Sequence, residues 1–245
     1  MDILAERDLD RIPSYLYGSI WKRIIVSEGT VVELPQYCEL VACEFDDFKF
    51  EIHRDINRTF PHMRFFQAAA GQRELFNVLK AVSVYNPEVG YCQGMGFIAG
   101  LLLSHMNELD AFNVLAVLMA SDELGGLYKP GLPRLPQYLS QLSALIDVEC
   151  PKLSLHFQTL GIDMSMFGSR WILSLFIYNL AFPKSVNLFT LFLMHGMKVI
   201  IHFGVFVLIH MQDTLLDASF EQVLTRINNV DVDMKLFGEW YTKRI

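Results

Sequence analysis

Cysteine, charge and strand-forming runs are all scarce in this chain of 245 residues, and each scarcity excludes something. The four cysteines, Cys38, Cys43, Cys92 and Cys150, form no Cys-x-x-Cys pair and no regular framework. That excludes a disulfide scaffold and a thiolate zinc site, and it predicts buried thiols in a reducing compartment, by default the cytosol. Charged residues make up only 19%, and no block of five like charges occurs, so no acidic or basic tail is expected. Asp and Glu (27) outnumber Lys and Arg (20), and the net charge of -7 argues against a nucleic-acid partner. The N-terminus alternates charged and apolar residues and lacks the apolar core of a signal peptide. Gly94-x-Gly96-x-x-x-Gly100 misses a dinucleotide fingerprint by one residue and follows a helical pattern, so no nucleotide-binding loop is present.

Hydrophobic residues, at 52%, are enough for a large core. Two apolar stretches raise the question of a membrane span. Residues 89–107 are uncharged but contain Gln93, Ser104, His105, Asn107 and several glycines. Residues 185–211 are interrupted by Lys198 and by His195, His202 and His210. A spanning helix needs about 18 or more predominantly apolar residues. Both stretches are therefore expected to be core helices of a protein without a transmembrane segment.

Helical signals dominate the rest. Leu75, Phe76, Leu79 and Val82 recur at helical spacing after a polar start at Gly71–Glu74. Asp110 is expected to cap an apolar helix over 111–118, and Pro151 to open a helix that Gly161 stops. Asp163 opens a region leading to Trp171–Phe176, Pro183 separates it from a helix starting near Lys184, and Ser219–Gln222 fits a capping box. Thr30–Leu34 is the one β-branched run, cut short by Pro35. Gly125–Pro133 is expected to be the longest loop. The expectation is a single all-α domain over 1–245, in two helical halves.

Two motifs carry chemistry. In Ile52-x-x-Asp55-x-x-Arg58-Thr59-Phe60-Pro61, Asp55 and Arg58 are helical neighbours, so the carboxylate can hold the guanidinium in one rotamer. Phe60, preceding proline, is expected to be extended and to end the helix, leaving Arg58 free to project. The plainer reading is a surface ion pair. In Tyr91-Cys92-Gln93-Gly94-Met95, one glutamine sits among Gly90, Gly94, Gly96 and Gly100, which permit positive φ and close approach by a partner. Its plainer role is to satisfy backbone groups at a helix start. His53 and His62 lack metal-ligand spacing, as do the later histidines, so no metal is expected. Cys92 has no base placed beside it, which argues against a nucleophile. Met63, Phe65 and Phe66 are either core or an apolar contact for a partner.

Taken in order and at this separation, the motifs resemble the catalytic core of the TBC-domain family, the GTPase-activating proteins of Rab small GTPases. The likeness continues through Gly71-Gln72, Leu75–Ala81, Tyr85–Gly90, Leu127–Pro133, Trp171 with Leu175-Phe176, and Gly196-x-Lys198-Val199-Ile200. Ile12-Pro13 and Gly18-x-x-Trp21 look like the family's start, so the resemblance covers about residues 10–227. It implies a two-lobed helical fold that supplies two fingers in trans. Arg58 would be the arginine finger and Gln93 the glutamine finger, with Asp55 steadying the arginine and Tyr91 anchoring the glutamine loop. The implied partner is a GTP-bound Rab-family GTPase, which brings the GTP and Mg²⁺. No cofactor of its own and no independent NTPase activity are implied. The implied setting is cytoplasmic and peripheral to endomembranes, with membrane association through partners. The alternative is a non-catalytic GTPase-binding or scaffold module on the same fold. Two positions depart from the family pattern: Tyr17 stands where many members have Arg, and Phe189-Thr190 where many have Trp-Asp.

Overall fold

The computed structural model describes residues 12–26, 31–44 and 47–244. Among them the regular structure is helical throughout, and the chain divides into two compact units, Ile12–Pro133 and Arg134 onward. After a 3-10 turn at Ser14–Leu16, the first unit carries α1 (Tyr17–Val26), α2 (Leu34–Ala42), α3 (Lys49–Ile56), α4 (Arg64–Gln67), α5 (Ala69–Tyr85), α6 (Met95–Leu103), α7 (Glu108–Ala120) and α8 (Leu124–Tyr128). The second carries α9 (Leu135–Glu149), α10 (Pro151–Leu160), α11 (Ser165–Leu173), α12 (Phe182–His195), α13 (Met197–Leu216), α14 (Phe220–Ile227) and α15 (Met234–Tyr241).

Each unit is organised round one long helix. In the first, α5 buries Leu75, Val78, Leu79 and Val82 and packs against α2, α3, α4, α6 and α7. All nine residues of α6 are buried, as expected of a helix that is apolar all round. In the second unit, α13 packs against α9 to α12 and against α14 and α15. It is long and apolar enough to cross a membrane by length and composition, but more than half of the stretch is buried within the fold. Gly196, at φ 67, separates it from α12, so 185–211 is two helices rather than one.

Several local expectations hold. Pro151 sits in the first turn of α10, and Gly161 closes it in the left-handed conformation. Ser219 and Gln222 form the capping box of α14. Others need correction. The cap of α7 is Asn107, whose side chain accepts from the Asp110 amide at 2.9 Å; Asp110 is inside the first turn, where its charge favours the helix N-terminus. Pro183 lies within the first turn of α12 rather than ahead of it. α11 stops at Leu173, and Leu175 and Phe176 take positive φ in a buried turn.

The β-branched run forms no strand: Thr30 is outside the described residues, 31–33 is irregular, and Pro35 opens α2 instead of ending anything. The backbone of Val32 finds its partner on a side chain. Its N–H donates to Asn113 Oδ1 at 2.7 Å, and its carbonyl accepts from Asn113 Nδ2 at 3.1 Å, so no second strand is needed. The supposed loop over 125–133 begins inside α8, and Gly125 is there because it lies against the Met119 carbonyl, where a Cβ would come within 1.9 Å. The thiols are not uniformly buried: Cys150 is, Cys92 is half-buried, and Cys38 and Cys43 are exposed.

Candidate active site

The arginine motif is built on the end of α3. That helix turns Ile52, Asp55 and Ile56 inward and stops at Asn57. The next turn is tighter: the amides of Arg58 and Thr59 donate to the carbonyls of Asp55 and Ile56, both at 3.1 Å. Thr59 is buried and donates its hydroxyl to the Asp55 carbonyl at 2.8 Å, which locks the turn from inside. Phe60 is not extended, as a residue before proline was expected to be. It takes φ 45, a strained value for an aromatic residue. Packing holds it there: its ring stacks on Phe66 at 5.8 Å and meets Phe97 edge-on at 6.2 Å.

The glycines that looked like a partner's approach also serve the chain's own packing. A Cβ on Gly100 would lie 2.9 Å from the Phe60 ring and 3.0 Å from Thr59 Cγ2, and one on Gly96 would lie 3.1 Å from Thr59 Oγ1. The turn carrying Arg58 therefore rests on α6. Gly90 (φ 60) and Gly94 (φ 117) do use backbone freedom closed to other residues, and they bound the segment holding Gln93. At its start Asn86 Nδ2 donates to the Met119 carbonyl at 3.0 Å, while the amides of Val89 and Gly90 donate to the Asn86 carbonyl. Further along, Lys129 reaches Glu88 at 2.9 Å across the surface.

One carboxylate joins the two motifs. Asp55 Oδ1 accepts from Arg58 Nε at 2.9 Å and lies 2.8 Å from Nη2, while Asp55 Oδ2 accepts from the Tyr91 hydroxyl at 2.6 Å. The Arg58 side chain is 43% exposed and that of Asp55 only 10%, so the guanidinium is gripped from below and open above. Burial, and then the hydrogen bond to Asp55, push the Tyr91 phenol well above its ordinary range, so it remains a donor. Gln93, two residues on, is exposed, and its carboxamide has no hydrogen-bond partner among the described residues. Satisfying a helix start is therefore not what it does. Burial pushes the Cys92 thiol up to about 11, which leaves it neutral and a poor nucleophile.

Sequence reasoning named Asp55, Arg58, Tyr91 and Gln93 but assigned nothing to Thr59, which sets the turn. Its signal was a hydroxyl four residues after Asp55 at a helix end, where back-bonding to a carbonyl is common. The apolar trio splits: Phe66 is core, while Phe65 is 37% exposed. His53 stacks on Phe76 at 4.5 Å. Among the described residues no group of three or more His, Cys, Asp or Glu side chains is placed to hold a metal. The two departures from the family pattern are buried. Tyr17 packs against Trp21 and His105, and Thr190 bonds to the Val186 carbonyl beside Phe189.

Comparison with known proteins bears on the family and the fold. The model of the Rab-GTPase-TBC domain matches residues 19–237. The chain is 36% identical over 217 residues to the Ecotropic viral integration site 5 ortholog of Drosophila melanogaster, covering 87% of this chain and 26% of that protein. It is 41% identical over 174 residues to the Rab GTPase-activating protein eat-17 of Caenorhabditis elegans, covering 71% of this chain and 20% of that one. The chain thus spans about a fifth to a quarter of the length of these relatives. Among solved structures, the Chlamydomonas flagellar RabGAP TBC domain superposes with a TM-score of 0.83 at 26% identity, covering 96% of this chain and 82% of that one. Fold, motif order and sequence agree, and this chain belongs to the Rab-GTPase-TBC domain family.

Proposed function

We propose that this chain accelerates GTP hydrolysis by a GTP-bound Rab-family GTPase, inserting Arg58 and Gln93 into the partner's site. The observation that carries this reading is the shared carboxylate, which fixes an open guanidinium and, through Tyr91, the segment presenting an unengaged carboxamide. Phosphoryl transfer asks little covalent chemistry of a catalyst; it asks for positioning and for charge opposite the phosphoryl oxygens. Arg58 supplies fixed positive charge and the donors that Asp55 leaves free, a service worth roughly 10³ to 10⁵ in rate for arginine fingers. Gln93 accepts from and donates to the attacking water, holding it in line with the γ-phosphate. GTP and Mg²⁺ come with the partner, the chain needs no cofactor of its own, and it meets its membrane through that partner.

The test is GTP hydrolysis measured across a panel of Rabs with and without the protein. At least one Rab should be accelerated, and that Rab should still respond after its own catalytic glutamine is replaced, because Gln93 supplies the carboxamide. A Rab that binds the protein but is never accelerated would leave only a binding module. A substituted Rab that binds but no longer responds would remove Gln93 from the mechanism.

A further inference from the structure

The helix that leads to Arg58 has a face that its own unit leaves uncovered. Ile52, Asp55 and Ile56 point inward; on the opposite side Phe50 and Arg54 lie one turn apart, and Asn57 and Arg58 continue the line. Phe50 is 79% exposed, and no large apolar side chain among the described residues is more so. Arg54 is exposed and, among the described residues, its guanidinium takes part in no ion pair or hydrogen bond. A lone exposed apolar residue calls for no explanation. Phe50 is distinguished by where it stands.

Six residues of α-helical rise and two of the tighter turn put Phe50 about 13 Å from Arg58 along the axis of α3. A standard protein interface covers about 800 Å² on each partner, a patch of about 16 Å radius. A GTPase that receives Arg58 from this side therefore also covers Phe50 and Arg54. Phenylalanine and arginine are among the side chains enriched in such patches.

Resting on the activity proposed above, we propose that Phe50, with Arg54 beside it, is the anchor by which this chain holds and selects its GTPase. The ring fills an apolar pocket on the GTPase surface beside the nucleotide site, and Arg54 meets an acidic rim of that pocket. The contact is the same before and during hydrolysis, so it governs KM rather than kcat. Arg58, engaged with charge that develops on the phosphoryl oxygens, governs kcat.

The experiment compares wild type, Phe50→Ala, Phe50→Leu, Arg54→Ala and Arg58→Ala in stimulated hydrolysis by a Rab that the wild type accelerates. Phe50→Ala should raise KM at least about tenfold and leave kcat at saturation intact. Phe50→Leu should recover part of that loss, and Arg54→Ala should give a smaller rise that shrinks with added salt. Because the ring is exposed, thermal unfolding followed by circular dichroism should not move. A wild-type KM in Phe50→Ala, or a loss confined to kcat, would overturn the anchor while an inactive Arg58→Ala left the activity standing. Failure of the wild type on every Rab would sink the activity, and the anchor with it.

Discussion

Arg58 gains little stability from its ion pair. A half-exposed pair of this kind contributes about 0–1 kcal/mol, so what Asp55 provides is direction. Two nitrogens of the guanidinium face the same carboxylate oxygen, which leaves the rest of the fork aimed outward. Lysine cannot reproduce this: it keeps the charge, but a single ammonium on a flexible stem cannot meet Asp55 Oδ1 and spread donors over a phosphoryl group together. Arg58→Lys should therefore lose roughly 10²-fold or more of the stimulated rate, close to the loss in Arg58→Ala. Single-turnover hydrolysis with a responsive Rab measures it, with folding checked by circular dichroism. Near-normal rates in Arg58→Lys would take Arg58 out of the mechanism.

At the scale of elements, the site is one turn packed on one helix. Thr59 and Phe60 reach α6 only because Gly96 and Gly100 leave room for them. Gly100→Ala puts a methyl group 2.9 Å from a ring already held at positive φ, so the turn must shift. It should destabilise the protein by about 1–3 kcal/mol, the range of overpacked cores, and lower stimulated hydrolysis because Arg58 moves with the turn. Denaturant unfolding and the rate assay read the two effects; unchanged values in both would mean that α6 does not support the turn. The same elements show what the sequence made legible. Helical period located α5 and α7, and the Pro and Gly signals placed α10, because those depend on local preferences. Residues 31–33 and Phe60 were misread because tertiary partners decide them: Asn113 supplies the hydrogen bonds of one, and Phe66, Phe97 and Gly100 hold the other. Asp55 was legible as the partner of Arg58, three residues away. Its bond to Tyr91 spans 36 positions, and no spacing rule reaches that far.

At the scale of the molecule, Asp55, Arg58, Tyr91 and Gln93 all belong to the unit that ends at Pro133. There Asp55 already holds the guanidinium and the Tyr91 hydroxyl, so docking has little ordering of Arg58 left to do. Groups placed for a transition state bind it better than the ground state. The complex with a GDP-bound partner should therefore tighten when aluminium fluoride or beryllium fluoride fills the γ-phosphate position. Preorganised donors facing developing charge are worth a few kcal/mol, so the shift should be roughly 10²-fold or more. Arg58→Ala should lose most of that tightening and keep the weak ground-state binding, since Phe50 and the surrounding surface are untouched. Phe50→Ala should weaken both states alike and keep the ratio between them. Titration calorimetry with and without the fluoride, on a Rab that the wild type accelerates, separates the three patterns. Equal wild-type affinity in both states would mean that the open guanidinium and the free carboxamide never meet the phosphoryl group, and that the acceleration has another source than these two side chains.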